Sequence, residues 1–258
     1  MSATHYFAGP AFGGPVWLKW VMFGIIVAAI AIGALFFSER ARHDPNRHSP
    51  RLAWIRAWVY YSVVLLISWV SGVLGHVLNR PLIAPERLQD SGWLLLVSLC
   101  WLVAIWGYVY WWPRGTITHG RKLYLLPTLF HGIFWGLCAG LLYLSMYAML
   151  EQFEFPGLVN GILLVAVLSV YSLNYQLGWW DIYVSPPHNL RATNGGKVAL
   201  AHQPFLLVTL ALLIIYGDAG MFVLLYTFAM TCSAIAMRFP PFWAPDGVPV
   251  SRETAMGE

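Results

Sequence analysis

Asp181 lies in the run Asn174-Tyr175-Gln176-Leu177-Gly178-Trp179-Trp180-Asp181-Ile182-Tyr183, near the end of the fifth of seven apolar stretches. The other acids fall at places the sequence assigns to loops, tails or helix tips. An ionisable side chain within a membrane segment is costly to keep there and marks a functional site by default. Tyr171, Asn174, Gly178 and Asp181 recur three or four residues apart. On a helix that spacing draws one polar stripe. Lipid tails cannot satisfy such groups, so the stripe must face other helices or a hydrated cavity.

Other residues able to do chemistry fall at the same depth. His188, Asn189, Arg191, Asn194 and Lys197 follow Asp181, and His202 and Gln203 open the sixth stretch. His131 lies two to three turns into the fourth, one turn before Trp135. The expected constellation joins a carboxylate, imidazoles and amides between the fourth, fifth and sixth stretches. A buried acid in an aromatic pocket can serve as a general acid, and aromatic faces stabilise a cationic intermediate. Asp181 is then the acid, with His131 and His202 to position or shuttle the proton. Trp135, Tyr171, Asn174, Trp179, Trp180 and Tyr183 would line the cavity. This chemistry suits cyclisation, hydration or double-bond isomerisation of an isoprenoid-type lipid. The competing reading makes Asp181 an interfacial ion pair or cap, and the aromatic residues an ordinary headgroup belt.

Metal chemistry has weaker sequence support. His43, His48, His119, His188 and His202 fall on one side, as in a His-rich lipid oxygenase, but no two histidines are adjacent. A membrane haem needs two facing axial ligands, and only His131 with His202 have compatible depth. No lysine occupies the seventh stretch to hold retinal. The rival class is a non-enzymatic subunit that packs a partner, haem or pigment. Its docking face would be Gly132, Gly136 and Gly140, a tandem GxxxG of the kind that lets helices approach closely.

The elements that must position these residues are plain from composition. Of 258 residues, 59% are hydrophobic and 10% charged, against about a quarter charged in an ordinary soluble domain. Seven stretches come near the roughly 20 residues needed to cross a bilayer: about 17–37, 57–78, 93–112, 123–150, 158–184, 200–216 and 221–239. The loops after the first, third and fifth, with the C-terminal tail, carry Arg40, Arg42, Arg47, Arg51, Arg56, Arg114, Arg121, Lys122, Arg191, Lys197, Arg238 and Arg252. The opposite side has Arg80 and Arg87. Twelve against two places the N-terminus outside and the C-terminus in the cytoplasm. The basic residues thus serve orientation, and nucleic acid is excluded as a partner.

The first stretch ends in Arg40 and Arg42, a stop-transfer pattern with no cleavage site. Cys100, Cys138 and Cys232 fall within stretches without paired spacing and read as small hydrophobes. The expectation is one all-α integral-membrane domain over 1–258, a seven-helix bundle in the cell (inner) membrane. Its partners would be the bilayer and a hydrophobic small molecule bound toward the cytoplasmic leaflet; no cofactor is specified.

Overall fold

The computed structural model describes residues 50–112, 123–151, 153, 155–178, 196 and 198–237, without the side chains of a few of these, 172–178 among them. The expected first stretch therefore lies outside the described residues, as do Trp179, Trp180, Asp181 and Tyr183. Every regular element among the described residues is helical. In chain order these are α1 (Pro50–Val70), α2 (Val73–Leu78), a 3-10 turn (Pro85–Gln89) and α3 (Ser91–Ala104). A π-helical stretch (Ile105–Trp111) continues α3. Then come α4 (Leu125–Glu151), α5 (Gly157–Gly178), a second π-helical stretch (Val198–His202), α6 (Gln203–Tyr216) and α7 (Ala219–Met237).

Four helical runs are long and apolar enough to cross a membrane: Ser91–Trp111, Leu125–Glu151, Val198–Tyr216 and Ala219–Ala236. Two shorter apolar helices, Ala57–Trp69 and Gly157–Tyr171, accompany them. The expected second span, 57–78, is not one continuous helix. Gly72 takes a left-handed conformation at φ 76°, which ends α1 and leaves α2 as a short continuation. Ser68, Gly72 and His76, four residues apart in the sequence, are therefore split by that turn and do not share one helix face. Ser71 and Ser145 instead bring the break against α4, with their hydroxyls 3.4 Å apart.

Helix α4 is the centre of the molecule, and every residue from Cys138 to Glu151 is buried. Its glycine face lies on α7. A Cβ on Gly132 would stand 2.7 Å from the Thr231 Cα, one on Gly136 2.5 Å from the Thr227 Cα, and one on Gly140 3.0 Å from the Val223 Cα. The falling partner numbers make the helices antiparallel, and the absent side chains let the two backbones meet. A partner subunit's helix was the sequence's other candidate for this face. The face is taken by α7 of the same chain.

The register of the other pairs follows from side-chain contacts. Tyr61 meets His131 and Ser71 meets Ser145, so α1 runs parallel to α4. Trp93 meets Asp218 and Trp101 meets Phe228, so α3 runs parallel to α7. Gly92 meets Tyr216 and Gly107 meets Ala201, which sets α3 and its π-helical continuation antiparallel to α6. The 79–90 loop, the end of α4 and the Gly217-Asp218 turn consequently gather at one end of the bundle. His131 and His202 lie toward the other.

The two π-helical stretches explain how the third and sixth spans deviate from ideal helices. Pro204 has no amide proton, and its ring clashes with the carbonyl four residues earlier, that of Leu200. Widening the turn over Val198–His202 relieves that clash. Gly107 sits opposite in the other widened stretch, where its Cβ position is 3.2 Å from the Ala201 Cβ. Two irregular turns thus pack face to face.

Candidate functional site

The aromatic and imidazole side chains form two clusters, one on each side of α7. In the first, the hydroxyl of Tyr61 on α1 and Nδ1 of His131 on α4 are 2.6 Å apart. Trp135 lies one turn on, its ring 5.4 Å from the imidazole, and Phe134 packs against Tyr61. His131 is buried, at 4% exposure, and Trp135 is nearly so at 7%. In the second cluster, Tyr108 on the first π-helical stretch hydrogen-bonds Nδ1 of His202 on the second. Trp112 packs edge-on against His202 with centroids 4.5 Å apart, and Phe205 packs against Tyr108.

The two histidines lie at similar depth. Gly132 faces Thr231, so His131 is level with that part of α7. Trp101 faces Phe228, and Tyr108 is seven residues further on, about 10 Å along a helix. That brings His202 close to the level of Ile235. By this reckoning the two lie about one turn apart along α7, and the structure brings them to tyrosines on different helices rather than together. His131 is one residue, about 100° of rotation, from the Gly132 face that α7 covers, and its ring points to α1.

Of the expected cavity residues, Tyr171 is half-buried on α5 and shares a side-chain hydrogen bond with Tyr60 on α1. Asn174 falls within α5, with its side chain outside the described residues, and Trp179, Trp180, Asp181 and Tyr183 lie outside them entirely. Next to His202, Gln203 donates to the hydroxyl of Ser169 on α5, at 2.7 Å. That bond ties the opening of α6 to the helix that leads toward Asp181.

A line of aromatic contacts links the second cluster to the middle of the bundle. Tyr108 touches Phe205, Phe205 touches Tyr226, and Tyr226 meets Tyr143 edge-on at 4.9 Å. Tyr226 also shares a hydrogen bond with Thr209. A phenol carries an apolar body and one polar tip, so tyrosines can fill an apolar interior while holding a few directed hydrogen bonds.

Residues the sequence did not single out complete the two clusters and their surroundings. Tyr61 and Tyr108 hold the two histidines, yet each looks like one more aromatic in an apolar run; only the partner helix reveals its use. Glu151 falls where the sequence puts a loop. It ends α4 at 7% exposure and shares a hydrogen bond with Tyr147, also buried. Asp181 is therefore not the chain's sole acid associated with an apolar helix. The Tyr147–Glu151 spacing of four residues, one helical turn, was the available signal.

Among the described residues, no group of three His, Cys, Asp or Glu side chains is placed to hold a metal ion. Cys100 and Cys138 are buried free thiols, and Cys232 is half-buried. No family model, curated protein or solved structure matches this chain.

Proposed function

We propose that this chain is a seven-span membrane enzyme, N-terminus outside and C-terminus cytoplasmic, that carries out acid–base chemistry on an isoprenoid-type lipid in the cytoplasmic half of the cell (inner) membrane. The observation that supports it best is the Tyr108–His202 pair set between two facing π-helical stretches. Such stretches are rare and occur often at functional sites. Here they put a histidine, a phenol and Trp112 together at the head of an apolar helix.

The chemistry assigned to these groups balances without a redox partner. The Asp181 carboxyl gives its proton to one carbon of a substrate double bond, leaving a carbocation on the neighbouring carbon. His202, with its Nδ1–H donating to the Tyr108 oxygen, takes a proton at Nε2 from an adjacent carbon. The electrons of that C–H bond form the new double bond. Transfer from the imidazolium back to Asp181 closes the cycle, giving isomerisation or, after ring closure, cyclisation. Trp112 supplies an aromatic face beside the developing cation. His131, held by Tyr61 with Trp135 beside it, takes no step in this cycle.

The test works on a mixture of candidate substrates. Purified protein in lipid vesicles is incubated in D2O with an isoprenoid extract from its expression host, and deuterium uptake into each isoprenoid is read by mass spectrometry. The proposal expects uptake into one class, abolished by Asp181→Asn and by His202→Gln. Uptake equal to that of empty vesicles would refute it. A Soret band in the purified protein would then favour the rival reading of a haem-packing subunit.

A further inference from the structure

A cleft of about 220 Å³ opens at the end of the bundle opposite the histidines. It lies between the loop that joins α2 to α3 and the Gly217-Asp218 turn that joins α6 to α7. Its charged and polar lining is His76, Arg80, Glu86, Arg87, Tyr216 and Asp218. We propose that this cleft holds the headgroup of a phospholipid with a primary ammonium, of the phosphatidylethanolamine type. The inference is independent of the enzymatic reading above.

Size is the first argument. Pockets for drug-sized molecules run to about 300–1,000 Å³, so this cleft suits a small polar group and excludes a lipid tail or an isoprenoid. Charge is the second. The lining has two guanidinium groups and two carboxylates, which matches a ligand carrying one phosphate and one ammonium better than a simple anion. Two of the four charges are also held in place. Arg87 donates from Nη2 to the Tyr216 carbonyl at 3.0 Å. Asp218 accepts from the Trp93 indole at 2.9 Å and from the Met221 amide at 3.0 Å. Each carboxylate oxygen keeps further acceptor capacity for an ammonium.

The type of ammonium follows from the aromatic group present. A trimethylammonium head is recognised by open aromatic faces. Besides the His76 imidazole, the aromatic ring in this cleft is Tyr216, and the Arg87 guanidinium already lies over its face, 5.2 Å from the centroid. The acceptors left for a cation are Glu86 and Asp218, which select N–H donors. Guanidinium groups recognise phosphate oxygens in planar, two-pronged fashion, a task that falls to Arg80 and Arg87.

Position is the third argument. The cleft sits where helices of membrane-crossing length end and begin. Leu78 at 73% exposure and Ile215 at 65% are the chain neighbours of the lining residues Val77 and Tyr216. Apolar side chains so exposed next to a charged cleft are what a lipid's acyl chains would cover.

The test uses full-length protein, stripped of lipid in detergent and titrated with dioleoyl-phosphatidylethanolamine, its choline counterpart and its glycerol counterpart. Retained lipid is read by native mass spectrometry. The expected result is at least about a tenfold preference for the ethanolamine lipid. Glu86→Gln should erase its advantage over the choline lipid, and Arg80→Ala should weaken retention of all three. Both residues are exposed, so the variants should elute as the parent does in gel filtration. Equal retention of all three lipids by the parent would overturn the proposal. Equal affinity for soluble glycerophosphoethanolamine would overturn the lipid source, because the acyl chains would then contribute nothing.

Discussion

The two histidine clusters use the same pair of groups, a tyrosine hydroxyl on an imidazole Nδ1, in opposite surroundings. His131 sits in a regular α-helix, fully buried, beside the close glycine seam between α4 and α7. His202 sits half-buried where two widened turns face each other. Regular, densely packed structure is what stability selects. Irregular backbone beside polar groups costs stability and persists where the rest of the fold supports it. Under the proposed function, that contrast assigns packing to the Tyr61–His131 side and chemistry to the Tyr108–His202 side.

That division can be broken in several places. The largest effect should come from Gly136→Leu. Its first side-chain atom alone would stand 2.5 Å from the Thr227 Cα and 2.6 Å from the Tyr226 carbonyl oxygen. Backbone cannot yield as a flexible side chain does, and the cost should exceed the usual overpacking penalty of about 1–3 kcal/mol. Gel filtration in detergent should show the monodisperse peak lost. Gly75→Leu is the control, since nothing lies within 4 Å of that Cβ position.

Tyr61→Phe should rank next. It strips a hydrogen bond from a buried imidazole at nearly unchanged shape, a loss of about 1–3 kcal/mol read as a lowered Tm in detergent. Tyr108→Phe makes the same chemical change against a half-buried ring that water reaches more cheaply. Its Tm loss should be smaller than that of Tyr61→Phe, while deuterium exchange falls further. The reverse ranking in both assays would exchange the roles assigned to the clusters. Smallest of all should be Gly107→Ala. The new methyl meets the Ala201 Cβ at 3.2 Å and its Cα at 3.3 Å, a tight contact but not an overlap, which should cost about 1 kcal/mol, the low end of the overpacking range, checked by the same Tm measurement.

The sequence was informative about the features that periodicity and composition control. Long apolar runs announced α3 to α7, and the tandem glycines announced a close helix contact. It could not say that α7 is the neighbour, because glycine spacing describes one face and not what covers it. The break at Gly72 was hidden for a similar reason. An isolated glycine in an apolar run is compatible with helix, and only its left-handed φ of 76° turns it into a stop. His131 and His202 were legible as imidazoles within apolar stretches, whereas Tyr61 and Tyr108 were lost among many aromatics. Glu151 was missed because hydropathy assigns a terminal acid to water, although a tyrosine one turn earlier gives it a partner inside.

Under the proposed function, His202, and not merely the bundle around it, moves protons. The most direct measurement is the rate of deuterium exchange into isoprenoid by vesicle-reconstituted His202→Gln, beside the parent protein and with Tm recorded for both. Removing a proton-transfer group should slow exchange by about 10²–10⁴-fold while Tm stays within a few degrees. Exchange at the parental rate in a folded variant would contradict the account.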